Sequence, residues 1–344
     1  MSYPYKVEIF DRDFNYIGFA PIERPTITFD YLSYEDVVVI TTSIEASKGQ
    51  YAHITDVYGA TVYQGYVKSV EAGSNGITAL TLAPLISLFD VEAAVGTPTQ
   101  ASVEAQLAAI IDALFYSNAD ALQNITGFGG CTTTSATSGS LNYDNEVQNV
   151  YNLIVSAMTA YGVVVDASFN PKTETYSITI GKPSGSITVE PTLEGVIERS
   201  ITLEDAYGAL NKITLIDADG VEADVVYYLH TDGTVSTTNA DRVEPVFFTT
   251  KTIRATSDLT FAEVAENEAN AALLPQAYNN LIELTVPLGS RVIPTDMPIG
   301  QECQILIDGA SYTTALTGFE INGNIKRLTF GTVRIELTKK LKMR

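Results

Sequence analysis

Tryptophan is absent, and histidine and cysteine occur only as His53, His230, Cys131 and Cys303. So small a supply leaves little for a metal centre of imidazoles and thiolates or for a Cys–His nucleophile pair. Neither thiol belongs to a metal-ligand or redox spacing. Positive charge is scarce as well: 20 Lys and Arg face 41 Asp and Glu, a formal net charge of −21. Such a chain repels DNA and anionic membrane surfaces at long range, which argues against specific nucleic-acid binding and stable membrane attachment. No apolar run reaches the roughly 20 residues of a membrane-spanning helix. The opening MSYPYKVEIFDRDF is polar and strand-like, unlike a signal peptide. These absences predict a soluble chain without cofactor.

What is present is globular: 45% hydrophobic and 18% charged residues over 344 positions, room for about two or three domains. The few basic residues are unevenly spread. Lys326, Arg327, Arg334, Lys339, Lys340, Lys342 and Arg344 crowd the C-terminal end, a candidate docking element on an acidic body.

Periodicity divides the chain. Residues 5–9 and 17–20 alternate around a DRDFN turn and predict a hairpin. Further strands are predicted over 26–31, 37–44, 50–56, 62–71 and 77–83, the pattern of a sandwich or barrel. After Val95 the period lengthens. Val103, Leu107, Ile110, Ile111, Leu114 and Phe115 share a helical face, with Thr97 and Thr99 around Pro98 as caps. Residues 126–142 are rich in Gly, Ser and Thr and predict a surface loop. A second helix over Val147, Val150, Tyr151, Ile154, Val155 and Met158 stops at Gly162. Strands over 163–167 and 175–180 follow, around Asn170-Pro171. From Leu210 the pattern is β again, over 212–216, 224–230 and 246–253, with Asp-Gly turns at 219–220 and 232–233. Thr260 and Glu263 have the spacing of a capping box for a third helix ending near Pro275. The expected fold class is β-dominated α+β, with units over 1–95, 96–200, 201–278 and 279–344.

The first and last units share a weak repeat. Gly49-Gln50 matches Gly300-Gln301, Ile54 matches Ile305, and Gly59-Ala60-Thr61 matches Gly309-Ala310-Ser311. Tyr63 then matches Tyr312, Val67 matches Leu316, and Val70-Glu71 matches Phe319-Glu320. Leu80-Thr81-Leu82 matches Leu328-Thr329-Phe330. Two barrel-like domains flanking an inserted α+β region are expected.

Other chemistry is thinly supported. Asp217 and Asp219 in IDADG lack the remaining positions of a calcium loop, so a tight turn is expected. Gly127-Phe128-Gly129-Gly130 opens no helix after a strand and is not a phosphate loop. No acidic pair stands out as a glycosidase dyad. Tyr227-Tyr228, or Tyr63 with Tyr66, would suit a carbohydrate groove, though strand tyrosines commonly pack across strands.

The segments VEIFDRDFNYIG, YQGYVKSVE, LTLAPLISLFD and LTFGTVRIELTKKLK, in this order, resemble the baseplate hub proteins of tailed phages and the N-terminal structural part of siphophage tail-associated lysins. The resemblance is one of pattern and order over essentially the whole chain. It implies a non-enzymatic virion protein of the tail tip or baseplate, made in the host bacterial cytoplasm, with no hydrolase part. Two tube domains per chain in a homotrimer would give a pseudo-six-fold ring that closes the tail tube. Distal tail or tube proteins, a tape-measure protein, and a fibre, spike or receptor-binding protein would be its partners, and DNA would pass through an acidic lumen. Candidate assembly residues are Tyr63, Tyr66, Glu71, Tyr312, Glu320, Lys339, Lys340, Lys342 and Arg344. Two readings compete: a glycan- or receptor-binding tail module, and a hexameric distal tail protein.

Overall fold

The computed structural model describes residues 5–33, 38–72, 77–96, 99–141, 147–190, 196–203, 210–231, 234–243, 246–255, 260–274, 280–288, 290, 293–294, 296–307 and 309–332. The first stretch carries β1 (Tyr5–Phe10), β2 (Tyr16–Ile22), β3 (Ile27–Asp30), β4 (Val38–Thr42), β5 (Tyr51–Asp56), β6 (Thr61–Ala72) and β7 (Thr78–Pro84), closed by a short 3-10 helix, Leu85–Phe89. Next come β8 (Glu92–Ala94), α1 (Val103–Phe115), β9 (Thr132–Thr133), β10 (Val147–Asn149), α2 (Val150–Tyr161), β11 (Val164–Asn170), β12 (Thr175–Gly181), β13 (Ser186–Val189) and β14 (Glu198–Leu203). A third group is β15 (Lys212–Asp217), β16 (Val225–Leu229), β17 (Val235–Ser236), β18 (Phe248–Ile253) and α3 (Phe261–Leu273). The last is β19 (Asn280–Pro287), β20 (Glu302–Ile307), β21 (Ala310–Asn322) and β22 (Ile325–Phe330). No helix among the described residues is long and apolar enough to cross a membrane.

The first sheet runs β2-β1-β5-β6-β7-β4, each pair antiparallel. Period-two alternation turns Val7, Ile9, Ile54, Tyr63, Val67, Leu80, Leu82 and Ile40 into one buried cluster. The intervening Lys6, Glu8, His53 and Gln64 lie on the opposite face. A bulge at Lys68, between Val67 and Ser69, bends β6 as the sheet curls.

The second sheet repeats this meander. Its path is β13-β20-β21-β22-β19-β14, so β20-β21-β22-β19 reproduces β5-β6-β7-β4 in order and direction. Ile54 pairs Tyr63 as Ile305 pairs Tyr312. Val67 pairs Leu82 as Leu316 pairs Phe330, and the bulge recurs one residue later in both, at Lys68 and Thr317. The entry turns agree as well. Gly49 N–H donates to Val67 O (2.8 Å) and Val67 N–H to Gln50 O (2.8 Å); Gly300 N–H donates to Leu316 O (2.7 Å) and Leu316 N–H to Gln301 O (3.0 Å). Both glycines are left-handed, at φ 89° and 80°. Similar glycine hairpins can share a turn, but a shared turn, register and bulge position identify a duplicated unit.

The copies differ at their edges. β5 is flanked by antiparallel β1, whereas β20 is flanked by parallel β13. β3 leaves the first half and pairs antiparallel with the far half of β21. Phe319 and Ile321 of β21 in turn pack against the first core. The halves are therefore sewn together and not merely tethered.

Between them lies the α+β unit. The α1 boundaries are those predicted, but its cap is Ser102, whose side chain accepts from Ala105 N–H (3.3 Å), and not Thr99, while Thr97 lies outside the described residues. The second helix begins at Val150 under an Asn149 cap, because Val147–Asn149 pair with β8 instead. It ends at left-handed Gly162, as predicted. β11 and β12 form the expected hairpin, and parallel β9 joins β12. β9 interrupts what was predicted as plain loop, and two α1 side chains hold the rest. Buried Glu104 accepts from Ser135 Oγ, Thr137 N and Thr137 Oγ1, each at 2.7 Å. Buried Gln106 accepts from Leu141 N (2.8 Å) and donates to Gly139 O (3.1 Å).

The third unit is a small sheet, β17-β16-β15-β18, with α3 on one face. Thr260 and Glu263 form the predicted capping box. The turn at 232–233, the helix stop at Pro275 and the basic residues from Arg334 onward lie outside the described residues.

Candidate functional site

The residues that chemistry would recruit are used structurally. Asp217 accepts the N–H groups of Asp219 (3.1 Å), Val221 (2.9 Å) and Glu222 (3.0 Å), so its carboxylate caps its own turn. Those hydrogen bonds hold its pKa below the usual range. Cys303 is buried against Met297, and burial pushes its thiol up to about 12. Burial also pushes Cys131 well up, with Asp112 adding to it. Both thiols are thereby kept from the thiolate form a nucleophile needs. His230 is buried, its Nε2 2.9 Å from Ser236 Oγ. Among the described residues no group of three or more His, Cys, Asp or Glu could hold a metal ion.

What the fold builds instead is a junction of three units. The outer face of the first sheet presents Phe10, Tyr51 and Tyr66, with Phe14 of the β1–β2 turn, to the α+β unit, where Phe169 and Tyr176 join them in one core. Tyr51 lies 5.0 Å from Phe169 and 5.5 Å from Phe14, stacked on both, and burial pushes its phenol up to about 12. Ala315, at the β21 position matching Tyr66, enters the same core from the second sheet.

Strand β11 is the edge of its sheet, and side chains occupy its outward backbone. Tyr31 Oη accepts from Val165 N–H (2.7 Å) and lies 3.3 Å from Val165 O. Four residues on, the Gln64 amide accepts from Phe169 N–H (3.2 Å) and donates to Phe169 O (2.7 Å). Between these clasps runs a groove of about 560 Å³ bordered by β11, Tyr63, Ile86, Pro183, Ile299 and Phe319. Asp166 lines it, and desolvation there raises its carboxyl pKa against the lowering effect of a hydrogen bond from the Ala167 backbone. Arg24 fastens the two halves. It donates to Tyr5 Oη (2.6 Å), and also to Gly323 O and Asn324 Oδ1 at the β21–β22 turn.

The candidate assembly residues distribute unevenly. Tyr63 is buried in the first core and Tyr312 packs against the second at the matching register. Tyr66 is half-buried and its hydroxyl accepts from Ser87 Oγ (3.1 Å). Glu71 is exposed opposite Ala79, while Glu320 at the matching position faces Arg327, 3.4 Å from its guanidinium. Lys339, Lys340, Lys342 and Arg344 lie outside the described residues. Sequence reasoning did not single out the hairpin tip between β5 and β6. There Asp56 accepts from Tyr58 and Ala60 N–H, both at 2.9 Å, and fixes a turn whose Tyr58 is 91% exposed.

No protein-family model and no curated protein sequence matches the chain. Solved structures do. A tail protein from Neisseria meningitidis MC58 superposes with a TM-score of 0.54 at 15% identity, over 96% of this chain and 97% of that one. The 43 kDa tail protein of prophage MuSo2 from Shewanella oneidensis gives 0.56 at 13% identity, over 96% and 98%. Prophage tail protein gp18 from Listeria monocytogenes EGD-e gives 0.57 at 10% identity, over 98% and 97%. From end to end, the chain has the fold of phage and prophage tail proteins.

Proposed function

We propose that the chain is a structural hub of a phage or phage-like tail and not an enzyme. Its work is assembly: a homotrimer stacks on the tail tube, closes it, and anchors the tip components below. The observation that carries this reading is the duplication, which extends to the position of a bulge in one strand. Three chains with two like sheets each supply six like units, the arithmetic needed to join a six-fold tube to a three-fold tip. A closed ring of this kind uses head-to-tail contacts. The retained edge differences, antiparallel β1 against parallel β13, suit a ring in which the two unit types alternate.

The charge supports the same reading. Lys and Arg contacts to phosphate dominate nonspecific DNA affinity, and a chain of net charge −21 supplies few of them. DNA passing through such a ring would slide. The units over 1–95 and 279–344, with β13 and β14 that complete the second sheet, are assigned to the tube, the rest of 96–200 and 201–278 to its outside, and the basic C-terminal end to docking on neighbouring tail proteins.

Electron microscopy of the purified chain, alone and mixed with its tube protein, tests the proposal. Top views with three-fold symmetry and six similar inner lobes support it. A six-fold ring of single-lobed subunits would assign the chain as a distal tail adaptor. Monomers under both conditions would sink the ring.

A further inference from the structure

The two faces of the β15–β18 sheet differ in chemistry. Ile213, Leu215, Leu229 and Ile253 lie in the core beneath α3. Their neighbours along the strands point the other way. Lys212 pairs with Tyr228 on one side and Phe248 on the other. Its Nζ lies 5.9 Å from the Tyr228 ring centre and 5.7 Å from that of Phe248. Arg242 continues the row, its guanidinium carbon 5.7 Å from the Tyr228 ring. Read across the sheet, the row is aromatic, cation, aromatic, cation. Thr250 and Thr214 pair in the register two residues on. Phe248 is 70% exposed, an unusual placement for a phenylalanine.

We propose that this face binds an acidic polysaccharide. Ring faces stack on the C–H faces of sugars, threonine hydroxyls match sugar hydroxyls, and fixed cations take carboxylates or phosphates. The cation–aromatic contacts hold both positive side chains in place, so less freedom is lost on binding. Charge complementarity selects the occupant. The chain as a whole repels polyanions, yet here the Lys212 ammonium stands between two aromatic rings, one of them largely exposed. A folded protein partner needs a larger apolar centre than one exposed ring and its neighbours provide. The inference is independent of the hub reading, since it concerns a unit outside the duplicated sheets.

The test is calorimetric titration of the full chain with alginate oligosaccharides, dextran oligosaccharides and polyglutamate. Alginate should bind, and Lys212→Glu and Phe248→Ala should each weaken it about ten-fold or more, as loss of one charge-assisted or stacking contact implies. Binding should fade toward ~1 M salt, where the screening length shrinks to about 3 Å. Unchanged thermal unfolding of both variants shows that the sheet survives. Absence of alginate binding, equal binding by wild type and variants, or polyglutamate binding as tightly as alginate would each overturn the proposal, the last in favour of an acidic protein surface.

Discussion

The side-chain amide of Gln64 stands in for a missing strand beside Phe169, taking both the outward N–H and the outward C=O of that residue (3.2 and 2.7 Å). An edge strand left open invites pairing with another chain. Here the first sheet closes part of that edge with one side chain, and Tyr31 repeats the device at Val165. The α+β unit is thereby docked and its free edge shortened.

Gln64→Leu keeps the bulk and removes both bonds. It should lower stability by about 1–3 kcal/mol, the cost of leaving part-buried backbone groups unpaired. Urea unfolding measures this, and hydrogen exchange should quicken at Phe169 before it does in the first core. Equal exchange at both places would assign Gln64 no docking role.

His53 neighbours this clasp, edge-on to Phe169 at 6.1 Å. Its Nε2 meets Thr61 Oγ1 (2.9 Å), whereas Nδ1 is buried without a hydrogen-bond partner, 3.9 Å from Glu8. Burial lowers its pKa below 6.5, and Glu8 opposes that only in part. The folded state therefore disfavours the charged ring. Stability is full above pH 6.5 and declines as pH falls from there toward the lowered folded value. His53→Gln should flatten melting temperature against pH across this window. The fold should tolerate the change, because Gln304 occupies the matching position of the second sheet.

Glu104 responds to acid for the opposite structural reason. Burial alone would raise its pKa, but hydrogen bonds from Ser135 and Thr137 outweigh burial and hold it below 4.5. The anion is the form that anchors the loop. Its contribution is present above pH 4.5 and is lost as pH falls through the lowered value. Glu104→Ala should cost about 1–3 kcal/mol, since it strands an N–H and two hydroxyls. Limited proteolysis should then cut within residues 132–141 at neutral pH, whereas the wild type should be cut there only in acid.

Local signals were legible in the sequence and long-range partners were not. The strands of the first meander, the Thr260–Glu263 box and the Gly162 stop follow from periodicity and capping, which need only neighbours in the chain, and the second meander was legible through its repeat of the first. β3 reads as a strand, yet nothing near Ile27 says that it pairs with β21, hundreds of positions away. β13 and β14 went unpredicted because each completes a sheet whose other strands come much later. Tyr63 and Tyr66 lie three apart in one strand, so alternation puts them on opposite faces, but which face meets the first core and which the α+β unit is decided by partners distant in sequence. Gln64 carried no signal, since a polar residue in a strand ordinarily faces water, and Arg24 and Tyr31 lie outside the strands, with partners distant in sequence.

The duplication makes its own prediction, because equivalent residues should fail differently. Gly49 and Gly300 hold the same left-handed turn, and alanine at either costs about 1 kcal/mol or more for the strained backbone. Their surroundings differ. A methyl at Gly49 would approach the Arg12 guanidinium at 2.9 Å, the movable end of a long side chain. At Gly300 it would run into Cγ2 of Val164, a β-branched residue fixed in β11. Gly300→Ala should therefore destabilise by a further ~1–3 kcal/mol of overpacking, and Gly49→Ala should not. The pair of urea curves decides the matter. A larger loss at Gly300 marks the contact between second sheet and α+β unit as rigid. Equal losses would mean that β11 yields, and that the second half is held chiefly through β3 and Arg24.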